Sequence, residues 1–328
     1  VMLPQQGYDV IGDVHGCAIA LKMLLERLGY TKKRGVWQHK SRQAVFVGDI
    51  VDRGPRIRES LHIVHDMVDR AGAQIVMGNH EFNALSYFTP MPAHSGRSYL
   101  RERTARHTRI IQETLDQFAN HPQDWQDFLA WFKAMPLFLE LESFRVVHAC
   151  WDQSLIDDYL KEYGHNQLTD EGLLQTMDRH ALPGRMINRL MRGINLPLPD
   201  GIIMRAKDGY ERHLFRADFW TKSPTYYQDV VFQPDPLPPE VATRKLPAEQ
   251  KAKLCYYSSK EKPLFIGHYW RMGDPKPIKP NIACLDYSAV KYGKLVAYRF
   301  NGEQQLQAKN FVWVNVEQKA PFTTTLNF

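Results

Sequence analysis

The sequence predicts an α/β fold, and three observations carry that reading. Short apolar runs at 8–11, 44–47 and 74–77 alternate with stretches of helical periodicity at 18–28 and 59–71. Each run empties into a glycine-led turn: GDVHG from Gly12, GDIVDRG from Gly48 and GNHE from Gly78. Those turns concentrate Asp, His and Asn where strands end, and ligands of open α/β sheets gather at the carboxyl ends of strands.

Along the chain, 8–11 reads as a short buried strand and 18–28 as an amphipathic helix. The runs 44–47 and 74–77 repeat the buried-strand pattern, with the helix 59–71 between them. Residues 81–139 look mainly helical, and the aromatic stripe at 125–132 suits packing better than base stacking. A strand at 144–147 delivers His148. Periodicity then weakens from 151 to 262, where QPDPLPP from Gln233 reads as an extended connector or lid. Strand character resumes at 263–266 and delivers Gly267 and His268. Residues 282–285 and 295–300 read as a β pair around Tyr292-Gly293-Lys294, and 311–316 closes the pattern. No internal repeat or sustained heptad is present, so neither a solenoid nor a coiled coil is indicated. The expectation is one domain over 1–328, with a helical or irregular cap at about 151–262 that sets specificity.

With 44% hydrophobic and 24% charged residues in 328, the composition is that of an ordinary globular protein. No apolar run approaches the roughly 18–20 residues that span a bilayer, and VMLPQQGYDVIGDVHG lacks the basic and apolar regions of a signal peptide. A cytoplasmic location is expected. Cys17, Cys150, Cys255 and Cys284 form no C-x-x-C pair and read as reduced thiols; Cys17 and Cys150, beside candidate ligands, read as small buried hydrophobes. The net charge of +6 is spread along the chain. Its densest stretch holds Arg97, Arg101, Arg103, Arg106, His107 and Arg109 against one acid, Glu102, and is either a solvated helix face or a collar drawing in an anionic substrate. No G-x-x-x-x-G-K-[ST] run supports a kinase.

The chemistry-bearing residues make a metal inventory. Asp13 and His15 are two apart and point to one side of an extended segment. Asp49 and Asn79 add hard oxygen donors suited to Mn²⁺, Mg²⁺ or Fe²⁺, while His15, His148 in FRVVH and His268 in PLFIGH extend the range toward Zn²⁺ and its neighbours. Such a set suits two metals, the usual device for attacking a phosphate ester.

At the three glycine-led blocks the chain resembles the phosphoprotein-phosphatase branch of the calcineurin-like metallophosphoesterases. The stretch CLDYSAVKYGKLVAYRF is similar to bacterial symmetrical diadenosine tetraphosphatases and to the phosphatase module of bacterial polynucleotide kinase-phosphatases. The resemblance implies a β-sandwich flanked by helices. It implies two divalent ions, manganese first, with Fe, Zn, Mg or Ni as alternatives, on Asp13, His15, Asp49, Asn79, His148 and His268, Asp49 bridging. A hydroxide held by the metals would attack phosphorus. His80 would protonate the leaving oxygen, oriented by Asp52; Arg53 and Asn79 would contact the phosphate, with either Arg192 or Arg216 as a further cation. Asp286 would orient a ligand histidine or cap a turn. Where eukaryotic protein phosphatases carry glycines after the first late histidine, this chain has Ala149-Cys150-Trp151, which changes the loop but removes no ligand.

The implied activity is a phosphomonoesterase, either serine/threonine-phosphatase-like or acting on nucleotides or RNA ends. The alternatives are a symmetrical dinucleoside-tetraphosphate hydrolase and, from another class, a non-catalytic module binding nucleic acid or a protein partner. The expected partner is a phosphorylated substrate, with nucleic acid only in that role and no membrane.

Overall fold

The computed structural model describes residues 7–206 and 209–316. Residues 1–6, on which the signal-peptide reading partly rests, and 207–208 and 317–328, within the expected single domain, lie outside the described residues.

Two sheets face each other. In the first, Gly7–Ile11 runs parallel to Arg42–Phe46, which runs parallel to Gln74–Ile75. The other edge of Gly7–Ile11 pairs antiparallel with Lys294–Phe300, which also takes Asp286–Tyr287 and Phe311–Asn315. The second sheet is ordered Ile282–Cys284, Leu264–Ile266, Arg145–Val147, Phe138–Glu140. Its first three strands are parallel and the fourth is antiparallel.

Side chains alternate between the faces of a strand. One set, including Val10, Val45, Val146, Phe265, Val296 and Phe300, meets between the sheets as a closed apolar cluster. The other set, including Ile11, Phe46, Val147, Ile266 and Ala297, faces outward into the core shared with the helices. Both faces are therefore apolar, which is why these strands read as continuous hydrophobic runs. The helix Ile57–Arg70 buries Ile57, Leu61, Val64 and Met67, a spacing of three and four residues that keeps them on one stripe. The result is a β-sandwich flanked by helices.

Several expectations shift. Residues 282–285 and 295–300 do not pair: Ile282–Cys284 belongs to the second sheet, and the chain crosses at Leu285 so that Asp286–Tyr287 pairs with Leu295 and Lys294 in the first. Apolar content alone cannot say which sheet a strand joins. The hairpin Thr31–Lys33 with Val36–Gln38 escapes a periodicity reading because its first strand is wholly exposed. The helical stretch 81–139 resolves into Asn79–Tyr87, Ala105–Phe118 and Pro122–Ala134, and ends in the strand Phe138–Glu140.

Residues 151–262 hold more regular structure than their patterning suggests. Helices Gln153–Tyr163, Asp170–Gln175 and Leu182–Arg192 lead into a small antiparallel sheet of Ile194–Pro197, Leu214–Ala217 and Val231–Gln233. Strands of three or four residues are too short to establish a readable period. QPDPLPP starts at the end of one of them rather than in a free connector. Among the described residues no helix is long and apolar enough to cross a membrane.

Candidate metal centre

The six expected donors stand just past strand ends. Asp13 and His15 follow Gly7–Ile11, Asp49 follows Arg42–Phe46, and Asn79 follows Gln74–Ile75. His148 and His268 come from the second sheet, after Arg145–Val147 and Leu264–Ile266. The site thus lies where the carboxyl ends of both sheets converge.

The turns that hold these donors are strained. Among the described residues ten non-glycine residues have positive φ, and five of them are His15, Asp49, Asp52, Arg53 and His268. Each such backbone costs about 1–3 kcal/mol and persists only where its surroundings over-determine it. The determinants are visible. The amides of Val14 and His15 both donate to the Asp49 carbonyl, at 3.1 and 2.9 Å, stapling the first loop to the second. Buried Glu81 accepts from the amides of Asp49 at 2.6 Å, Ile50 at 3.0 Å, Val51 at 3.3 Å and Gly78 at 3.1 Å, binding the second loop to the third. Gly78 and Gly267 permit the close approach of the carboxylates: a Cβ there would sit 2.3 Å from Asp49 Oδ1 and 2.1 Å from Asp13 Oδ1.

Hydrogen bonding sets the histidine tautomers. Nδ1 of His15 lies 2.8 Å from the Val51 carbonyl and Nδ1 of His148 lies 2.7 Å from that of Val47. A carbonyl only accepts, so each Nδ1 carries a proton and each Nε2 turns inward. There, His148 Nε2 is 3.1 Å from Asp49 Oδ2 and 2.9 Å from Asn79 Oδ1, and His15 Nε2 is 3.5 Å from Asp49 Oδ2. Nitrogen lone pairs facing carboxylate and carbonyl oxygens repel unless a proton or a metal cation lies between them. The energetics agree. Burial lowers His148, yet the Asp49 carboxylate outweighs it and lifts that imidazole above its ordinary range. Burial, aided by His80, drops His15 to about 3, and burial with Arg216 holds His268 well below an ordinary imidazole, so both stay neutral as ligation requires.

Asp13 supplies the clearest sign. Its Oδ1 is buried with no hydrogen-bond partner, and burial together with the neighbouring Asp286 and Asp49 charges pushes its carboxyl well above the usual range. A carboxylate with one unpartnered oxygen beside inward-facing imidazoles and an amide oxygen fits a pair of divalent cations. Two groups of donors lie close enough to hold an ion, His15 with Asp49 and His80, and Asp13 with Asp49 and His148. Asp49 is common to both. Asp13 and His15, expected to point to one side, fall in different donor groups, and His80 enters a donor group as well as standing next to Asp52. His268 borders the set, its amide donating to Asp13 Oδ2 at 3.3 Å and its Nδ1 lying 3.3 Å from Asn79 Oδ1.

His80 Nδ1 is 2.7 Å from Asp52 Oδ2, and Thr114 donates its hydroxyl to Asp52 Oδ1 at 2.6 Å. Burial lowers His80, but the Asp49 and Asp52 carboxylates prevail and raise it. Above the donors lies a cavity of about 230 Å³ that Arg53, Arg212, Arg216 and Lys291 also line. Arg216 sits on the middle strand of the small sheet, donates to Gln233 Oε1 at 3.0 Å and packs over the Tyr269 ring. Arg192 is elsewhere: it donates to Asn83 Oδ1 at 3.0 Å and lines a separate cavity with Phe82 and Arg101. Asp286 lines the metal-side cavity and accepts from the Ser288 amide at 3.0 Å, capping a turn.

Several residues of this site went unassigned in the sequence, Lys291 among them. Glu81 had a signal, as the last residue of GNHE at the third position of a helix. Thr114 and Arg212 had none, because each joins the site only through tertiary contact.

Residues 8–199 match the family model for calcineurin-like phosphoesterases. The chain is 35% identical over 142 residues to the asymmetrical bis(5'-nucleosyl)-tetraphosphatase PrpE of Oceanobacillus iheyensis, covering 43% of this chain and 54% of that protein. It is 47% identical over 74 residues to PrpE of Halalkalibacterium halodurans, covering 22% of this chain and 30% of that protein. The matched part thus spans about half or less of these curated relatives' own length. A solved protein serine/threonine phosphatase from Saccharomyces cerevisiae is similar at 14% identity over 97% of this chain and 82% of that one, with a TM-score of 0.49.

Proposed function

Because this chain belongs to the calcineurin-like phosphoesterase family, we propose that it is a metal-dependent phosphoric-ester hydrolase acting on phosphomonoesters. The observation that supports this reading is the convergence of inward-facing donors around Asp49 beneath Arg53, Arg212 and Arg216. Three guanidiniums suit the dianion of a monoester better than the single charge of a diester. The location is proposed as cytoplasmic.

In this reading Asp13, His15, Asp49, Asn79, His148 and His268 would hold two divalent cations, manganese first among them, Asp49 belonging to both donor groups. When bound, the cations supply Lewis acidity and lower the pKa of water to make a nucleophile at neutral pH. Arg53 and Arg216 clamp phosphate oxygens and offset charge that grows in the transition state. Asn79 adds an oxygen donor without adding negative charge, which preserves the attraction for phosphate. His80, protonated on Nδ1 toward Asp52, offers a proton from Nε2 to the leaving oxygen. The segment 151–262 acts as a specificity cap within one domain, since it contributes Arg212 and Arg216 to the cavity wall.

A second reading is hydrolysis of a dinucleoside tetraphosphate. The names of the PrpE relatives favour it, and they specify asymmetrical rather than symmetrical cleavage. Turnover of p-nitrophenyl phosphate, nucleoside monophosphates, a phosphopeptide and diadenosine tetraphosphate by the Mn²⁺-loaded protein separates the two. A higher kcat/KM on the tetraphosphate than on every monoester would overturn the first reading.

A further inference from the structure

We propose that the cavity walled by Arg101, Arg179 and Arg192 is a second anion site, built to take a phosphate-type oxyanion away from the metal centre. This cavity measures about 280 Å³ and shares no lining residue with the one above the metal donors. The helix Asn79–Tyr87 contributes to both. Asn79 and His80 at its start line the metal-side cavity, while Phe82 and Ser86 line the arginine cavity.

Its charge is unbalanced. Arg97 also lines it, and among the described residues the only carboxylate on its wall, Glu102, lies 3.6 Å from Arg97. Among the described residues no carboxylate lies within ion-pair distance of Arg101, Arg179 or Arg192. Arg192 is largely enclosed; its hydrogen bond goes to the neutral amide oxygen of Asn83, and its guanidinium lies 5.7 Å from the Phe82 ring centre. Burial and then the like charges of Arg101 and Arg179 bring Arg192 down to about 10. The acid that acts on Arg101 is Asp52, which is already engaged by His80 and Thr114.

Bringing guanidiniums together, with Arg101 and Arg192 partly out of water and Arg179 at the exposed rim, is costly unless an anion meets them. Arginine forks match the oxygens of a phosphate and hold them in pairs. Arg101 from the loop before helix Ala105–Phe118, Arg179 from the turn after Asp170–Gln175, and Arg192 at the end of Leu182–Arg192 approach from three separate elements. That convergence from three elements distinguishes the cavity from a solvated row of charge on one helix. The occupant has two sources with one chemistry, a second phosphate on the molecule bound at the metal centre or free inorganic phosphate. Neither depends on turnover, so the site stands or falls separately from the proposed reaction.

Calorimetric titration of the Mn²⁺-loaded protein with inorganic phosphate tests it. Two sites per chain are expected. Arg101→Gln and Arg179→Gln should each weaken one of them about tenfold or more, and Arg179→Gln should leave the other site, the metal content and turnover of p-nitrophenyl phosphate unchanged. A rise in KM for a nucleoside 3',5'-bisphosphate in Arg179→Gln, with KM for p-nitrophenyl phosphate constant, assigns the occupant to the substrate. Equal KM values with loss of the phosphate site assign it to free phosphate. Phosphate binding of undiminished affinity at every site in both Arg101→Gln and Arg179→Gln would overturn the proposal.

Discussion

Nδ1 of His80 lies 2.7 Å from Oδ2 of Asp52, and the other oxygen of that carboxylate takes the hydroxyl of Thr114 at 2.6 Å. All three residues are buried. The chain Thr114–Asp52–His80 fixes the imidazole ring and directs its Nε2 toward the metal donors.

Replacing His80 by Asn should keep both metals yet slow hydrolysis of esters with poor leaving groups by roughly 10²–10⁴-fold. The loss should shrink sharply for p-nitrophenyl phosphate, whose leaving group departs without a proton. Equal losses on both esters, or metal lost from the variant, would instead make His80 a ligand, as its place beside His15 and Asp49 allows.

The pH profile carries a sign. Against the effect of burial, Asp49 and Asp52 raise His80, so its protonated, proton-donating form persists to higher pH than an ordinary imidazole's. Activity on a poor leaving group should fall as pH rises through that elevated value. Asp52→Asn removes one of the raising charges, and its falling limb should move to lower pH; an unmoved limb would count against His80 as the acid.

Thr114 has no contact with substrate in this scheme and acts by positioning Asp52. Thr114→Val should lower kcat about tenfold with little change in KM, because a hydrogen bond to a charged group is worth about 1.5–3 kcal/mol. Thr114→Ser should restore most of it. Failure of serine to rescue would make the role one of packing.

Asp49→Asn should abolish turnover and loosen both metals, since the carboxylate is common to both donor groups. Metal analysis after gel filtration reads this directly. Two retained ions with near-normal turnover would remove the bridging role.

The metal-free protein should be destabilised by Asp13. Burial and the Asp286 and Asp49 charges penalise its ionised form, raising its folded pKa above the unfolded value near 3.9. The penalty is present at neutral pH and fades as pH falls through the raised value. Asp13→Asn should therefore raise the melting temperature of chelated protein at pH 7. It should also diminish the stabilisation that metal gives the parent, about 4 kcal/mol at a thousandfold excess over Kd.

The candidate donors and their turns were legible in the sequence because both are local. GDVHG, GDIVDRG and GNHE place carboxylate, amide and imidazole within a few residues of a strand end, and a buried strand declares itself by an unbroken apolar run. His148 and His268 were legible for the same reason, each closing such a run. What the tertiary structure alone decided is every relation across the chain. Pairing of strands chose the sheet that Ile282–Cys284 joins, and the small sheet brought Arg216 to the metal-side cavity while Arg192 went to another. Packing of helix Ala105–Phe118 set Thr114 against Asp52, and the buried Glu81 drew two loops together through their amides. Periodicity reports which face of an element is buried. It carries no record of the partner across the core, because many apolar or cationic side chains satisfy the same local pattern and only the folded geometry selects among them.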